Sequence, residues 1–272
     1  MPADKSLTRS IALHGAIFFL AQLAVLLAVT IGYRTGWQRF GLFTVITAAY
    51  HGGLTVLLIV RRADFHVEGA DAPLPRVNLS NTITFGRLSS IPTITYLIVK
   101  ASTYSILPVI LPFICIVFAT DFIDGMVARR RREITFVGRY MDSSSDYLMI
   151  VAVSIVLFSY ALIPLWFFLL VMGRLVLFAL GMIWLTLREG KANPLATFIG
   201  KASIFSLMVL YAMEIARLFD VPWIGDERVV TIVEYLVAAI VAVSVVDKAI
   251  FLARRFAEVP RKKRAPRAGA SA

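Results

Sequence analysis

Eight long apolar runs, separated by short polar or charged breaks, dominate the chain: roughly residues 11–31, 41–60, 79–99, 104–126, 143–161, 163–187, 194–217 and 228–253. A helix needs about 20 apolar residues to cross the hydrocarbon core of a bilayer, and each run reaches or approaches that length. The pattern predicts an all-α, polytopic membrane bundle of about eight transmembrane helices. The longest polar interruption, residues 61–77, contains Pro73 and Pro75 and reads as a linker. It divides a two-helix N-terminal extension with its linker (1–77) from a six-helix core (78–256), which is followed by a basic tail (257–272).

Composition agrees. Of the 272 residues, 59% are hydrophobic, against nearer half in soluble domains. The net charge of +11 would suit a nucleic-acid partner, but the basic residues cluster at the ends of apolar runs, where membrane topology requires them. Nucleic acid is therefore excluded as a partner and the lipid bilayer takes its place. Lys5, Arg9, Arg61, Arg62, Arg76, Arg129 to Arg132, Arg139, Arg188, Lys191 and the tail from Arg254 to Arg267 fall on one side. Arg34, Arg39, Lys100, Arg217 and Arg228 fall on the other. This asymmetry predicts both termini in the cytoplasm, with the cytoplasmic membrane of a bacterium as the expected location. The first run is longer than a signal-peptide core and lacks an A-x-A-like site, so it reads as a retained helix. The lone cysteine, Cys115, lies in an apolar run and reads as packing. His14, His51 and His66 have no partner spacing and read as polar packing residues.

One stretch departs from this pattern. Between two apolar runs, residues 120–147 carry four carboxylates, Asp121, Asp124, Asp142 and Asp146. Ionisable groups at or inside a membrane helix are costly and mark functional sites. At about 100° per residue, Asp121, Asp124, Gly125, Ala128 and Arg129 share one helix face. Asp142 and Asp146, four apart, share a face of the next helix. A short hairpin thus aims two pairs of acids at each other. Their repulsion requires cations, and hard oxygen ligands without His or Cys point to Mg²⁺ or Mn²⁺. Gly125 and Ala128 leave room for a bulky group against the backbone, and a metal-bridged nucleotide diphosphate fits. Arg129 could reach a phosphate or brace an acid, while Arg130, Arg131 and Arg132 read as anchors at anionic lipid.

The spacing D-x2-D-G-x2-A-R-x8-G-x3-D-x3-D is met at all eight fixed positions, from Asp121 to Asp146, with Gly138 the second glycine. It resembles the signature of the CDP-alcohol phosphotransferases, membrane enzymes that build phospholipid head groups. The resemblance implies a six-helix core and transfer of a substituted phosphate from a CDP-linked donor to an alcohol acceptor, with release of CMP. Asp121, Asp124, Asp142 and Asp146 would hold two metal ions, and Asp146, the family's last aspartate, would be the general base. Gly125, Ala128, Arg129 and Gly138 would shape the nucleotide pocket. Opposite them, Asn81, Thr84 and Arg87 resemble the family's N-x2-T-x2-R; the alternative for Asn81 or Ser80 is a plain helix N-cap.

Arg174 and Lys201, inside later runs, resemble basic residues that family members keep near the acceptor pocket, which favours a phosphorylated polyol such as glycerol 3-phosphate or inositol phosphate. CDP-diacylglycerol is the expected donor. Around the last aspartate the chain reads Ser145-Asp146-Tyr147-Leu148, where glycerol-phosphate enzymes often read Ala-Asp-Lys. A choline or ethanolamine phosphotransferase is the alternative acceptor class, and a transporter or non-catalytic scaffold the alternative outside catalysis. The N-terminal extension reads as a packing or homodimerisation element.

Overall fold

A computed structural model describes residues 2–69, 74–189, 197–222 and 226–264, with side chains apart from those of residues 2–4, 122, 186, 188, 189 and 257–264. Pro73, Lys191 and the tail beyond residue 264 lie outside the described residues, as does the Arg188 side chain. The architecture is all-helical: α1 (Pro2–Gly32), α2 (Trp37–Val60), α3 (Leu79–Ser89), α4 (Ile91–Ala101), α5 (Leu107–Arg131), α6 (Phe136–Ser159), α7 (Leu165–Glu189), α8 (Phe198–Arg217) and α9 (Glu227–Arg264). Seven of these, all but α3 and α4, are long and apolar enough to cross a membrane. Large apolar side chains such as Val45, Ile116 and Phe205 are 62–69% exposed, as the lipid-facing surface of an integral membrane protein requires.

The run at 79–99 forms two helices of 11 residues each rather than one. The cause is Pro92, which has no N–H for the Leu88 carbonyl four residues back; the Tyr50 hydroxyl donates to that carbonyl instead, at 3.0 Å. Each of the two is about 16 Å long at 1.5 Å per residue, too short to span alone.

The chain forms two compact units, Met1–Tyr160 and Ala161–Ala272. In the first, α3 and α4 are central: α3 packs on α1, α5 and α6, and α4 on α1, α2, α5 and α6. This placement explains why Phe85, Leu88, Tyr96 and Leu97 are almost wholly buried. The N-terminal extension is thus part of the same unit as the first half of the core. In the second unit, α9 packs against both α7 and α8.

Candidate functional site

Local sequence fixes the ends of the three helices that meet at the site. Asn78 caps α3, its Oδ1 accepting from the Asn81 N–H at 3.0 Å; the N-cap is therefore Asn78, not Ser80 or Asn81. Helix α5 closes with Arg132 in the left-handed region (φ 54°), while Glu133 N–H reaches Ala128 O at 3.1 Å and Arg132 N–H reaches Arg129 O at 3.3 Å. That bond pair is the Schellman closure. Three residues later Thr135 caps α6, its hydroxyl oxygen accepting from Gly138 N–H at 3.0 Å.

The linker braces this turn. Val67 pairs antiparallel with Thr135, Glu68 N–H donates to Ile134 O at 2.9 Å, and the His66 ring stacks on Phe136. Glu68 also forms an ion pair with Arg139, and Asn78 Nδ2 donates to Glu133 O at 3.1 Å.

The two pairs of acids converge, with Arg87 of α3 among them. Its guanidinium contacts the carboxylates of Asp121 and Asp142 and lies 3.6 Å from Asp124 and 3.5 Å from Asp146. Burial is graded. The side chains of Arg87 and Asp124 are 2% and 5% exposed, that of Asp146 19%, and those of Asp121 and Asp142 41% and 50%. Asp124, the deepest, accepts the Thr84 hydroxyl at 2.7 Å, and its backbone carbonyl accepts the Ser80 hydroxyl at 3.1 Å. One guanidinium cannot balance four carboxylates, so the site keeps an excess of negative charge. Asp121, Asp142 and Asp146 each offer an oxygen within 4.8 Å of the others. This all-oxygen set fits a hard divalent cation. Asp124 stands outside that trio, on Thr84 and Arg87.

Beside the acids lies a cleft of about 150 Å³. It is lined by Asn81, Thr84, Gly125, Ala128, Arg129 and Gly138, which are the residues expected at the nucleotide apart from Arg87, together with Asp124 and Asp142. Its floor is tight. A Cβ on Gly138 would sit 2.5 Å from Asn81 Oδ1 and 2.8 Å from Thr135 Oγ1, so any larger residue would have to displace those two side chains. The Arg129 guanidinium lies over Gly125, 3.2 Å from where a Cβ would be. Four further lining residues, Ser80, Ile134, Thr135 and Arg139, were not singled out as site residues from sequence. For Thr135 a signal existed: a threonine just before a helical stretch is a favoured N-cap. It also donates its hydroxyl to Asn81 Oδ1 at 2.9 Å, joining the two walls.

In the second unit Arg174 is buried, its Nε donating to Ser244 Oγ at 3.2 Å and its Nη2 to Gly200 O at 3.3 Å. Lys201 is exposed on α8. The buried lysine beside Gly200 is Lys248, whose ammonium lies over the Phe178 ring.

The chain is thus an integral membrane protein with an acid-rich cleft where three helices meet. It belongs to the CDP-alcohol phosphatidyltransferase family, whose model matches residues 77–246, more than half of the chain. Among its relatives is a protein of Streptomyces coelicolor named cardiolipin synthase (CMP-forming), 28% identical over 151 residues, or 53% of this chain and 66% of that protein. Another, of Aquifex aeolicus, is named CDP-diacylglycerol–glycerol-3-phosphate 3-phosphatidyltransferase and is 30% identical over 176 residues, or 63% of this chain and 93% of that protein. The match thus takes in just under two thirds of the Streptomyces relative. No solved structure matches the chain.

Proposed function

We propose that the protein transfers a phosphatidyl group from CDP-diacylglycerol to a hydroxyl of a phosphate-bearing glycerol, releasing CMP. The observation that carries this reading is the meeting of Asp121, Asp142 and Asp146 beside a cleft of about 150 Å³ lined by Gly125, Ala128 and Gly138. Acids this close call for divalent cations, and the cleft beside them gives the phosphates of a donor a place to meet those cations.

Asp121, Asp124, Asp142 and Asp146 would hold two Mg²⁺ or Mn²⁺ ions, Asp124 from the deep side. When bound, the ions supply neutralisation of the donor diphosphate and polarisation of its bond to CMP. The remaining work falls to the chain. Asn81, Thr84, Gly125, Ala128, Arg129 and Gly138 enclose the nucleotide, and Arg87 orients the carboxylates. Asp146, held only loosely or acting through a relaying water because a neighbouring dication disfavours its protonation, accepts the proton of the acceptor hydroxyl as the hydroxyl oxygen bonds to the β-phosphorus and the bond to CMP breaks. Half-buried and only 3.5 Å from Arg87, it is the less exposed member of the Asp142/Asp146 pair.

Support for the acceptor class comes from the relatives' names. One names glycerol 3-phosphate; the other names cardiolipin, in which two phosphatidyl groups share one glycerol. Both acceptors present a glycerol hydroxyl near a phosphate. Arg174 and Lys201 are proposed as acceptor contacts. The charge asymmetry supports an active site and both termini on the cytoplasmic side. The test is CMP release from CDP-diacylglycerol by purified protein, with glycerol 3-phosphate, phosphatidylglycerol, inositol phosphate or serine offered separately. Release confined to a glycerol-phosphate acceptor is the expected result. Release only with CDP-choline and diacylglycerol would move the protein to the head-group transferases instead.

A further inference from the structure

The α1–α2 pair precedes the matched family segment, which begins at residue 77, yet it holds the helix that carries Arg87. At about 100° per residue, Ser80, Thr84 and Arg87 lie on one face of α3, toward the acids, and Thr82, Phe85, Gly86 and Ser89 lie on the opposite face. The extension occupies that opposite face. His14 meets the Thr82 hydroxyl at 3.1 Å, and the Phe18 ring packs edge-on against Phe85. A Cβ on Gly86 would lie 3.2 Å from Phe18.

The grip is firmest just after Arg87. Tyr50 donates to the Leu88 carbonyl, and His51 meets the Ser89 hydroxyl. The His51 Nδ1 faces the Thr47 carbonyl at 2.8 Å. A carbonyl only accepts, so Nδ1 carries the proton and Nε2 accepts from Ser89. On the other side of the break, the Ser90 hydroxyl turns back to the Arg87 carbonyl at 2.6 Å. All of these groups are buried or nearly so.

We infer that the α1–α2 pair positions Arg87, with Tyr50 and His51 as positioning residues acting through the α3–α4 break. A break at proline is the soft point of a helix. Displacement there moves the guanidinium that touches Asp121 and Asp142, and constellations of this kind tolerate only about 0.5 Å of misplacement. Tyr50 and His51 fix the two residues between Arg87 and the break. The extension thus serves the site without contributing a group to it. The activity arm of the test rests on the transferase reading; the binding arm does not.

The experiment uses full-length protein in detergent and the variants Tyr50→Phe, Ser89→Ala and both together. Tyr96→Phe is the control: it removes another buried hydroxyl contact between the extension and the core, to Thr30 at 2.6 Å, away from Arg87. Mn²⁺ binding is followed by electron paramagnetic resonance, with melting temperature and CMP release in parallel. The double variant should bind Mn²⁺ about ten-fold more weakly, the lower end of what lost outer-shell partners cost, while Tyr96→Phe loses only melting temperature. Unchanged Mn²⁺ affinity in the double variant, or an equal loss in Tyr96→Phe, would overturn the inference. Wild-type protein that binds Mn²⁺ but releases no CMP would overturn the transferase reading and leave this comparison decisive. A wild-type protein that binds no Mn²⁺ would overturn both.

Discussion

The Thr84 hydroxyl on α3 donates to the carboxylate of Asp124 on α5 at 2.7 Å, with both side chains buried. This bond joins the N-x2-T-x2-R helix to the aspartate helix at their deepest common point. Together with Arg87, it lets a carboxylate persist where desolvation disfavours charge.

Thr84→Val keeps the volume and removes the donor. Losing a hydrogen bond to this buried carboxylate should cost about 1–3 kcal/mol of stability, seen as a lower melting temperature. CMP release should fall as well, because Asp124 no longer holds its rotamer. Unchanged melting and turnover in Thr84→Val would show that Asp124 does not depend on this bond.

Gly138→Ala tests the cleft floor. The new methyl would meet Asn81 and Thr135 at 2.5 and 2.8 Å, whereas the same change at Gly173 meets nothing within 4 Å. Gly138→Ala should raise the KM for the CDP donor at least several-fold. Gly173→Ala should leave it unchanged and stabilise its helix by up to about 1 kcal/mol. Titrating CDP-diacylglycerol against the two variants separates them.

At the turn between α5 and α6, Thr135 and Glu68 differ in burial and so in consequence. Thr135→Ala loses an N-cap worth about 1 kcal/mol and releases Asn81 from the facing wall, so both melting temperature and donor affinity should fall. Glu68→Gln breaks an exposed pair with Arg139, in which the arginine is 54% and the glutamate 37% exposed. Such pairs contribute about 0–1 kcal/mol, so its effect on stability should be small and should vanish in high salt.

The proposed acceptor contacts make a fourth test. Arg174 is buried and Lys201 is exposed. Arg174→Gln should raise the acceptor KM while leaving the donor KM unchanged, and Lys201→Ala should have the smaller effect on both. Steady-state kinetics with the acceptor varied at saturating donor decides this.

Much of this organisation is legible in the sequence because membrane solvent makes it so. Apolar runs of spanning length announce the helices, and four acids among them announce the site. The third run hid its division at Ser90, since hydropathy averages over a proline without registering the lost N–H. Helix α6 begins at Phe136, seven residues before its apolar run. Its first turns, F-V-G-R-Y-M-D, are broken by Gly138, Arg139 and Asp142, and are held by the Thr135 cap and by the buried Val137 and Met141. The Val67–Thr135 pairing and the Tyr50 and His51 contacts join residues 38 to 68 positions apart, so no spacing rule points to them. All three histidines are hydrogen-bonded to neighbours, in keeping with packing. Lys201 is exposed on α8 while Lys248 is the buried lysine beside Gly200, a difference of helix phase that the Gly-Lys pair alone does not reveal.

The most direct test is CMP release from CDP-diacylglycerol with a glycerol-phosphate acceptor, measured for wild type and Asp146→Asn with and without a chelator. Release should require both acceptor and divalent cation. Loss of a general base removes about a hundred-fold or more, so Asp146→Asn, still folded, should retain no more than a trace. Release that persists in Asp146→Asn, or that survives complete chelation, would contradict the assignment of these aspartates to the reaction.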